Sequence, residues 1–530
     1  MRKAKRHQIH TRLMKKLPSF LLSLIPLSLF LISFLVRLSL ISKGPFDVDN
    51  LGVMIKAQET LETLKLRYFL GTGYPGMILL ACLFLSMGNM IGHSDPVFMV
   101  NLISVLFGAL CIPLFYLITK KWFDTITAVL STLLFSFSPL FLSLSTYGSN
   151  HPPSLFFTLL GLLYALTYHE TRKRIHFYTA ALAWGLVGAI RLQDLTMIAI
   201  PFSLIYLIGL MTNKERSSLS PSQIIGNFIY LWMIIFCIVY IFHLPYLLSP
   251  DISHYLKQLS DYLQVSSGFG TKGIFHDIFL EAFETLYKNF STPGLLYVIG
   301  GFLLLWWRKR KIFIYCLLWI GVPLYFLMHC MNLAPRFFTI ILPALYICAG
   351  FFFARMFALP CFIRCSFVII FFLSVILIPL PILPILLDRH KFAYLPDYAR
   401  LVGQLTEENA RIITGDESSF LSYYGKRTAF GRPKNKYYTT EELMHFKQQL
   451  DALLDQNVPV YMTYSGLFSY NLKKRFSEFM LTHYEINIIG GTFFESWHRG
   501  AMKNKVMYGH IFEVHKRTVP PSTPLPPTPY

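Results

Sequence analysis

Asp47 and Asp49 stand in the stretch SKGPFDVDNLG, directly after a long apolar run, FLLSLIPLSLFLISFLVRLSLI. A carboxylate at a membrane boundary is placed to act as general base toward a hydroxyl or amine nucleophile. Two residues apart, the pair shares a face only where the backbone is extended. The sequence that follows, NLGVMIKAQETLETLKL, spaces Leu51, Met54, Ile55, Leu61 and Leu64 as an amphipathic helix does, which would lie on the outer membrane surface. In that frame Asp49 also serves as a helix N-cap, whereas Asp47 has no such structural duty beyond a solvated loop position.

Arg191 and Asp194 interrupt two apolar runs, FYTAALAWGLVGAI and LTMIAIPFSLIYLIGL. An arginine at bilayer depth costs about 3 kcal/mol, so it faces a cavity or a partner. An Arg191–Asp194 ion pair at a short turn is the structural alternative. His151, in SNHPPS, begins a helix whose first turn suits Pro152 and Pro153. Arg336 follows Pro335 at the outer end of another apolar run, where snorkelling is the competing explanation. His276 and Asp277 form a weaker candidate pair in a long polar segment. A base carboxylate, one or two guanidiniums and a cavity opening beside lipid suit group transfer from a lipid phosphate. The arginines would hold the phosphate as it leaves, and the carboxylate would take the proton of the attacking group.

The elements that position these residues are membrane helices. Of 530 residues 54% are hydrophobic and 14% charged, and Phe occurs 48 times. A soluble chain carries roughly 25% charged residues. Several runs reach the roughly 20 apolar residues that cross a bilayer core. The formal charge of +20 does not indicate nucleic acid, because the basic residues cluster in short loops between apolar runs. The eight cysteines lie in or beside apolar segments, with no metal-type spacing and no disulfide framework in the polar C-terminal part. Cys361 and Cys365 sit one helical turn apart and read as packing residues.

Spans are predicted at 17–38, 97–119, 126–145, 153–169, 176–190, 195–211, 224–244, 294–307, 312–330, 336–355 and 361–387. With these eleven, the basic N-terminus (residues 1–16, read as preceding an uncleaved first span), KKWFD, HETRKRIH, NKER, RKRK and the segment 355–364 all fall on the cytoplasmic side. The piece YPGMILLACLFLSMGNMI (74–91) would break that alternation if it crossed, so it reads as an interfacial or re-entrant helix on the outer face. The first outer loop is then 39–96 and the long outer loop 245–293. Asp47, Asp49, His151, Arg191, Asp194 and Arg336 all meet on the outer face.

From about Asp388 the composition changes. ARIITG and VPVYMTYSG read as buried strands, and TTEELMHFKQQLDALLDQ as an amphipathic helix opened by a threonine cap. Residues 388–518 are therefore expected to form a small extracytoplasmic α/β domain, followed by a Pro-rich disordered tail, 519–530. No P-loop, Rossmann fingerprint or HExxH is present, and GFGTKG (268–273) reads as a loop.

The stretch MVNLISVLFGALCIPLFYLITKKWFDTITAVLSTLLFSFSPLFLSLSTYGSNHPPSLFFTLLGLLYAL resembles the GT-C glycosyltransferases, especially bacterial protein O-mannosyltransferases and the aminoarabinose transferase of lipid A. GLVGAIRLQD and APRFFTIILPALYICAG are similar to later helices of that family, and the likeness spans roughly residues 15–355. It implies an α-helical polytopic membrane protein of GT-C type in the plasma (bacterial inner) membrane, with the N-terminus cytoplasmic and the C-terminal domain periplasmic. It implies a polyprenyl-phosphate-linked sugar as donor, a lipid, glycan or protein as acceptor, membrane lipids as surroundings, and no nucleic acid. Asp47 would be the general base with Asp49 as runner-up, and Arg191 and Arg336 match positions that hold the donor phosphate, with His151 and Asp194 beside them. Transfer would invert the sugar carbon by direct displacement. No cofactor is called for outright; relatives with a doubly acidic site use a divalent cation (Mg or Mn), which leaves room for a metal at Asp49. The motif is DVDN rather than the commoner Asp–Glu pair, and Asn150 and His151 stand where many members have an acidic residue.

Two other functions fit parts of the pattern. A transporter or flippase would show internal repeats and charges near the midplane. A lipid-linked glycan polymerase or ligase would use large outer loops with Arg and His and would not need an acidic first loop.

Overall fold

The computed structural model describes residues 19–69, 73–93, 95–212, 220–249, 252–253, 256, 274–330, 335–389, 393–415, 417–431, 439–468, 475–497 and 504–517. The predicted Pro-rich tail and GFGTKG lie outside these residues. The chain divides into two compact units. The first comprises Met1–Lys43, Val53–Leu387 and Arg499–Met502, and the second Gly44–Gly52, Asp388–His498 and Lys503–Tyr530.

The first unit is helical throughout. Its helices are α1 (Ser19–Ser39), α2 (Val48–Thr63, shared with the second unit at its start), α3 (Pro75–Met90), α4 (Pro96–Trp122), α5 (Thr125–Ser136), α6 (Pro139–Leu144), α7 (His151–Thr171), α8 (Arg174–Ile190), α9 (Leu192–Thr212), α10 (Pro221–Leu247), α11 (Ile274–Arg308), α12 (Arg310–Cys330), α13 (Leu342–Met356), α14 (Cys361–Leu377) and α15 (Leu383–Leu387). Among the described residues six stretches are long and apolar enough to cross a membrane: Pro96–Trp122, Leu192–Leu210, Ser222–Leu247, Ala282–Arg308, Arg310–Leu327 and Cys361–Leu387. Shorter apolar helices represent other predicted spans, among them Leu24–Ser39, Thr125–Ser136 and Leu342–Met356.

Proline explains where predicted continuous spans break. The expected span 126–145 is two helices, because a residue before proline avoids the helical region and Ser138 instead caps α6, its Oγ accepting from Phe141 N–H. The span 336–355 opens with a 3-10 turn, Pro335–Ile340, before α13. The run 361–387 is interrupted after Leu377 by a 3-10 turn at Leu380–Ile382. Helix α11 bends at Ser291, whose φ is 56°. Beside the bend, Asn289 Oδ1 accepts from Ser138 Oγ–H (2.9 Å) and Leu140 N–H (3.0 Å), while its Nδ2–H donates to Tyr346 Oη at 3.1 Å.

The apolar stripe of α2 differs from the predicted one. Leu51, Met54 and Ala57 are fully buried, but Leu64 lies beyond the helix end and is 89% exposed. The helix starts at Val48, so Asp49 stands within the first turn rather than at the N-cap. There it still complements the positive end of the helix dipole.

Of the predicted basic segments, the N-terminus and NKER lie outside the described residues, while KKWFD, HETRKRIH, RKRK and the start of 355–364 lie toward one end of the helical unit. Lys121 pairs with Glu170, Trp122 and Tyr315 have ring centroids 5.8 Å apart, and Phe123 and Phe351 5.1 Å. Helix α7 runs from this end back to Asn150 and His151, so the polar turn before it lies at the other end. Between the ends, Arg37 is completely buried in α1. Its Nε–H donates to Ser145 Oγ (2.9 Å), one terminal nitrogen to Ser33 Oγ (2.5 Å) and Ser33 O (3.3 Å), and the other to Ser136 O (3.1 Å). The guanidinium also stands 5.1 Å from the Phe141 ring centroid. A charge is tolerated there because donors in hydrocarbon must find protein acceptors.

The second unit carries α16 (Tyr394–Leu405), β1 (Arg411–Thr414), α17 (Ser418–Tyr423), β2 (Thr428–Gly431), α18 (Thr440–Asp455), β3 (Val460–Thr463), α19 (Tyr464–Phe468), α20 (Arg475–His483), β4 (Tyr484–Gly490), β5 (Phe493–Trp497), β6 (Asn504–Tyr508) and β7 (Ile511–Lys516). One sheet has the order β2-β1-β3-β7-β4, in which β1 is parallel to β2 and β3, and β7 is antiparallel to β3 and β4. Strands β5 and β6 form a separate antiparallel hairpin. Gly491, with φ of 134°, turns the chain out of β4 into that hairpin, a conformation L side chains rarely adopt. The predicted strands ARIITG and VPVYMTYSG are β1 and β3. The predicted helix is α18, opened by a full capping box between Thr439 and Glu442. Its apolar face, Leu443, Phe446 and Leu450, packs with Ile413, Met462, Phe476, Met480 and Val514 into one core.

Candidate active site

The polar turn before α7 and the break between α8 and α9 meet inside the helical unit. The sequence RLQD puts Arg191 at the C-cap of α8 and Asp194 in the first turn of α9. Both side chains are almost fully buried, 3% and 5% exposed, and Arg191 Nε lies 3.1 Å from Asp194 Oδ2. Asp194 Oδ2 also accepts a 2.6 Å bond from Ser154 Oγ–H, and Arg191 Nη1–H donates a 2.7 Å bond to Asn150 Oδ1. The predicted short-turn ion pair is therefore real, but it is one part of a four-residue polar network spanning three helices.

Phe337, in the 3-10 turn Pro335–Ile340, is within cation–π range of both arginines. The carbon of the Arg191 guanidinium is 5.4 Å from its ring centroid, and that of Arg336 5.6 Å. The His151 ring is 5.8 Å from the same centroid, and the charges of Arg191 and Arg336 both act on it. His151 is buried, and its backbone N–H donates to Ser149 Oγ at 3.3 Å. Three predicted residues, Arg191, His151 and Arg336, thus converge around one phenylalanine, and Asp194 is joined to them through Arg191. Two guanidiniums and one carboxylate are brought close together here, with Arg191 and Asp194 almost fully buried.

Asn150, Ser154 and Phe337 join the site without having been chosen as site residues. Ser154 follows His151 by three positions, so both lie on one face of the first turns of α7, the only signal that pointed to it. Asp47 and Asp49 belong to the second unit; Asp47 is 4% exposed and Asp49 half-buried. The side chains of His276 and Asp277 lie outside the described residues. Among the described residues no group of three or more His, Cys, Asp or Glu side chains is gathered to hold a metal ion, so Asp49 has no such companions there.

Solved structures place this architecture. The structure of ArnT from Cupriavidus metallidurans bound to undecaprenyl phosphate is 12% identical, with a TM-score of 0.53, over 93% of this chain and 97% of that one. The Archaeoglobus fulgidus oligosaccharyltransferase in complex with Zn and sulfate is 14% identical, with a TM-score of 0.57, over 91% and 72%. Its counterpart AglB, with an inhibitory peptide and a dolichol-phosphate, gives 14%, 0.53, 91% and 74%. The chain has the GT-C fold. Within the GT-C unit, residues 80–255 match the model of the family described as dolichyl-phosphate-mannose-protein mannosyltransferase. No curated protein matches the chain. The family match covers Asn150, His151, Ser154, Arg191 and Asp194, and stops before Arg336.

Proposed function

We propose that the protein is a membrane glycosyltransferase that moves a sugar from a polyprenyl-phosphate donor to a hydroxyl- or amine-bearing lipid, glycan or protein acceptor on the outer face of the membrane. The observation that carries this reading is the meeting of Arg191 and Arg336 at Phe337 in a chain of GT-C fold. The ligands named for the solved neighbours, undecaprenyl phosphate and dolichol-phosphate, support a lipid phosphate as the anion.

The reaction is a displacement at the anomeric carbon. The acceptor oxygen or nitrogen forms the new bond to that carbon as its bond to the phosphate oxygen breaks, and the configuration inverts. The electron pair leaves with polyprenyl phosphate, whose growing negative charge Arg191 and Arg336 stabilise. Asp47 takes the acceptor's proton, with Asp49 as the alternative base. Asp194, itself held by Ser154, keeps Arg191 in place, and Asn150 orients the guanidinium from the other side. Phe337 supplies a ring face for both cations and excludes water from between them.

The α/β segment from Asp388 onward is extracytoplasmic, where it helps to choose the acceptor, and the basic loops are cytoplasmic. Mass analysis of envelope glycans and lipid-linked sugars in a deletion strain tests the whole reading. Accumulation of one polyprenyl-linked sugar and loss of that sugar from one acceptor are expected. Restoration should follow from the wild-type chain and not from Asp47→Asn. An unchanged glycan and lipid profile on deletion would overturn the proposal.

A further inference from the structure

The second unit has a crevice that the transfer chemistry does not use. In open α/β sheets ligands bind beyond the carboxyl ends of parallel strands, where the chain leaves neighbouring strands in opposite directions. Strands β1 and β3 are such a pair. After β1 the chain passes through α17 to β2 on one side, and after β3 it passes through α19 and α20 to β4 on the other. The two loops that begin there, Gly415 onward and Tyr464 onward, nearly touch: a Cβ on Gly415 would come 2.7 Å from Ser465 Oγ and 3.3 Å from Glu417 Oε2.

Glu417 points into this crevice. It is 5% exposed, and its Oε2 accepts from Thr414 Oγ1–H (2.8 Å) and Gly415 N–H (3.1 Å). Its second carboxylate oxygen is engaged by no hydrogen bond from the described residues. Thr463 and Ser465 add hydroxyls 3.2 Å from each other. Beside them stands an aromatic platform. Tyr464 N–H and Tyr398 Oη–H both donate to His510 O, at 3.0 and 3.3 Å. Tyr464 and Tyr508 have centroids 5.1 Å apart, Tyr508 and Phe493 5.3 Å, and Phe493 and His510 5.6 Å. Phe493 is 61% and Tyr508 38% exposed, so two ring surfaces remain open next to a buried carboxylate.

We propose that this crevice is a saccharide-binding site that takes a pyranose with vicinal hydroxyls. A carboxylate held through one oxygen presents the other to a diol. The half-buried Ser465 hydroxyl, backed by the fully buried Thr463, completes the polar edge, and the rings of Tyr508 and Phe493 offer apolar faces to the C–H side of the sugar. A peptide would make less of this arrangement, since the fixed polar group is an acceptor flanked by flat rings rather than an open strand edge. That the saccharide is part of the acceptor rests on the glycosyltransferase reading; the binding itself does not.

The test uses the full chain in nanodiscs. Saturation-transfer NMR is run with mannose, glucose, N-acetylglucosamine and their linear tetrasaccharides, alongside a Ser/Thr-containing peptide. At least one tetrasaccharide should bind in the wild type and, unchanged, in Asp47→Asn. Glu417→Gln and Tyr508→Ala should each weaken it by about tenfold. Tyr508 is exposed enough for its variant to keep the wild-type melting temperature, which separates lost binding from lost folding. Binding of the peptide alone, of no saccharide, or equally in both variants overturns the inference. Saccharide binding without any glycosyl transfer would sink the proposed function and leave the site standing; transfer without binding would do the reverse.

Discussion

Ser154 Oγ–H and Arg191 Nε share one oxygen: Asp194 Oδ2 lies 2.6 Å from the first and 3.1 Å from the second. The hydroxyl fixes the carboxylate, and the carboxylate fixes the guanidinium. Ser154 is thus a positioning residue two bonds removed from the anion that Arg191 would meet. Ser154→Ala should raise the KM for the lipid-linked donor by about tenfold or less, with kcat nearly unchanged and Ser154→Thr restoring most of the loss. A fall in kcat alone would contradict the relay.

Asp194→Asn carries a different cost. It removes the charge of the carboxylate 3.1 Å from the buried Arg191 guanidinium, and breaking such a pair costs about 3–5 kcal/mol. The melting temperature of the purified protein should drop clearly, and donor binding should weaken with it. A variant with wild-type stability would mean that Arg191 is neutralised elsewhere.

Arg336→Lys separates charge from shape. Lysine keeps the positive charge but loses the planar fork and the ring contact with Phe337. Turnover should fall by roughly 10- to 100-fold, the range expected for one charge-assisted contact. Inorganic phosphate and polyprenyl phosphate should both inhibit it less well than the wild type. Unaltered inhibition by both would remove Arg336 from the phosphate site.

Asp47→Asn should abolish transfer by about 10²–10⁴-fold while leaving donor binding intact, since a general base contributes to the chemical step only. Asp49→Asn should have the smaller effect. The reverse order would exchange their roles, and two fully active variants would place the base elsewhere.

The soluble unit has its own pH signature. Burial raises the Asp451 carboxyl, but hydrogen bonds from Lys447 and Tyr484 outweigh it and hold the group below the ordinary carboxylate value of 3.8. The depressed value means that Asp451 binds its proton less readily folded than unfolded. Its contribution is therefore present above the unfolded carboxylate range and disappears as pH falls from about 4 downward. Melting curves of the full chain followed between pH 6 and pH 3 on this pH scale should converge for wild type and Asp451→Asn. A gap that widens with acid would reverse the sign.

Composition and periodicity alone determined that this chain is a polytopic helical membrane protein followed by an α/β segment. Transfer of apolar surface and helical spacing are local properties, legible wherever roughly 20 residues avoid charge. The same locality revealed a threonine cap, which the structure shows as the Thr439–Glu442 capping box, and the strands at Ile412 and Tyr461. Buried charge also left its mark: Arg191, Asp194, His151 and Arg336 stood out because they interrupt or border apolar runs, and the structure places Arg191, His151 and Arg336 near Phe337 with Asp194 paired to Arg191.

Other features needed three dimensions. Ser154, Asn150 and Phe337 are ordinary residue types, given meaning only by partners 40 or more positions away for the first two, and by the two arginines near the ring for the third. Arg37 looked like one more residue in a span until Ser145 and Ser136 closed around it. The bend at Ser291 and the proline break at Pro139 are joined by a bond from Ser138 Oγ–H to Asn289 Oδ1 across 151 positions. Hydrophobicity acts residue by residue and can be summed along a chain. Hydrogen bonds and charge pairs act between particular atoms at particular distances, and only the folded chain brings those atoms together.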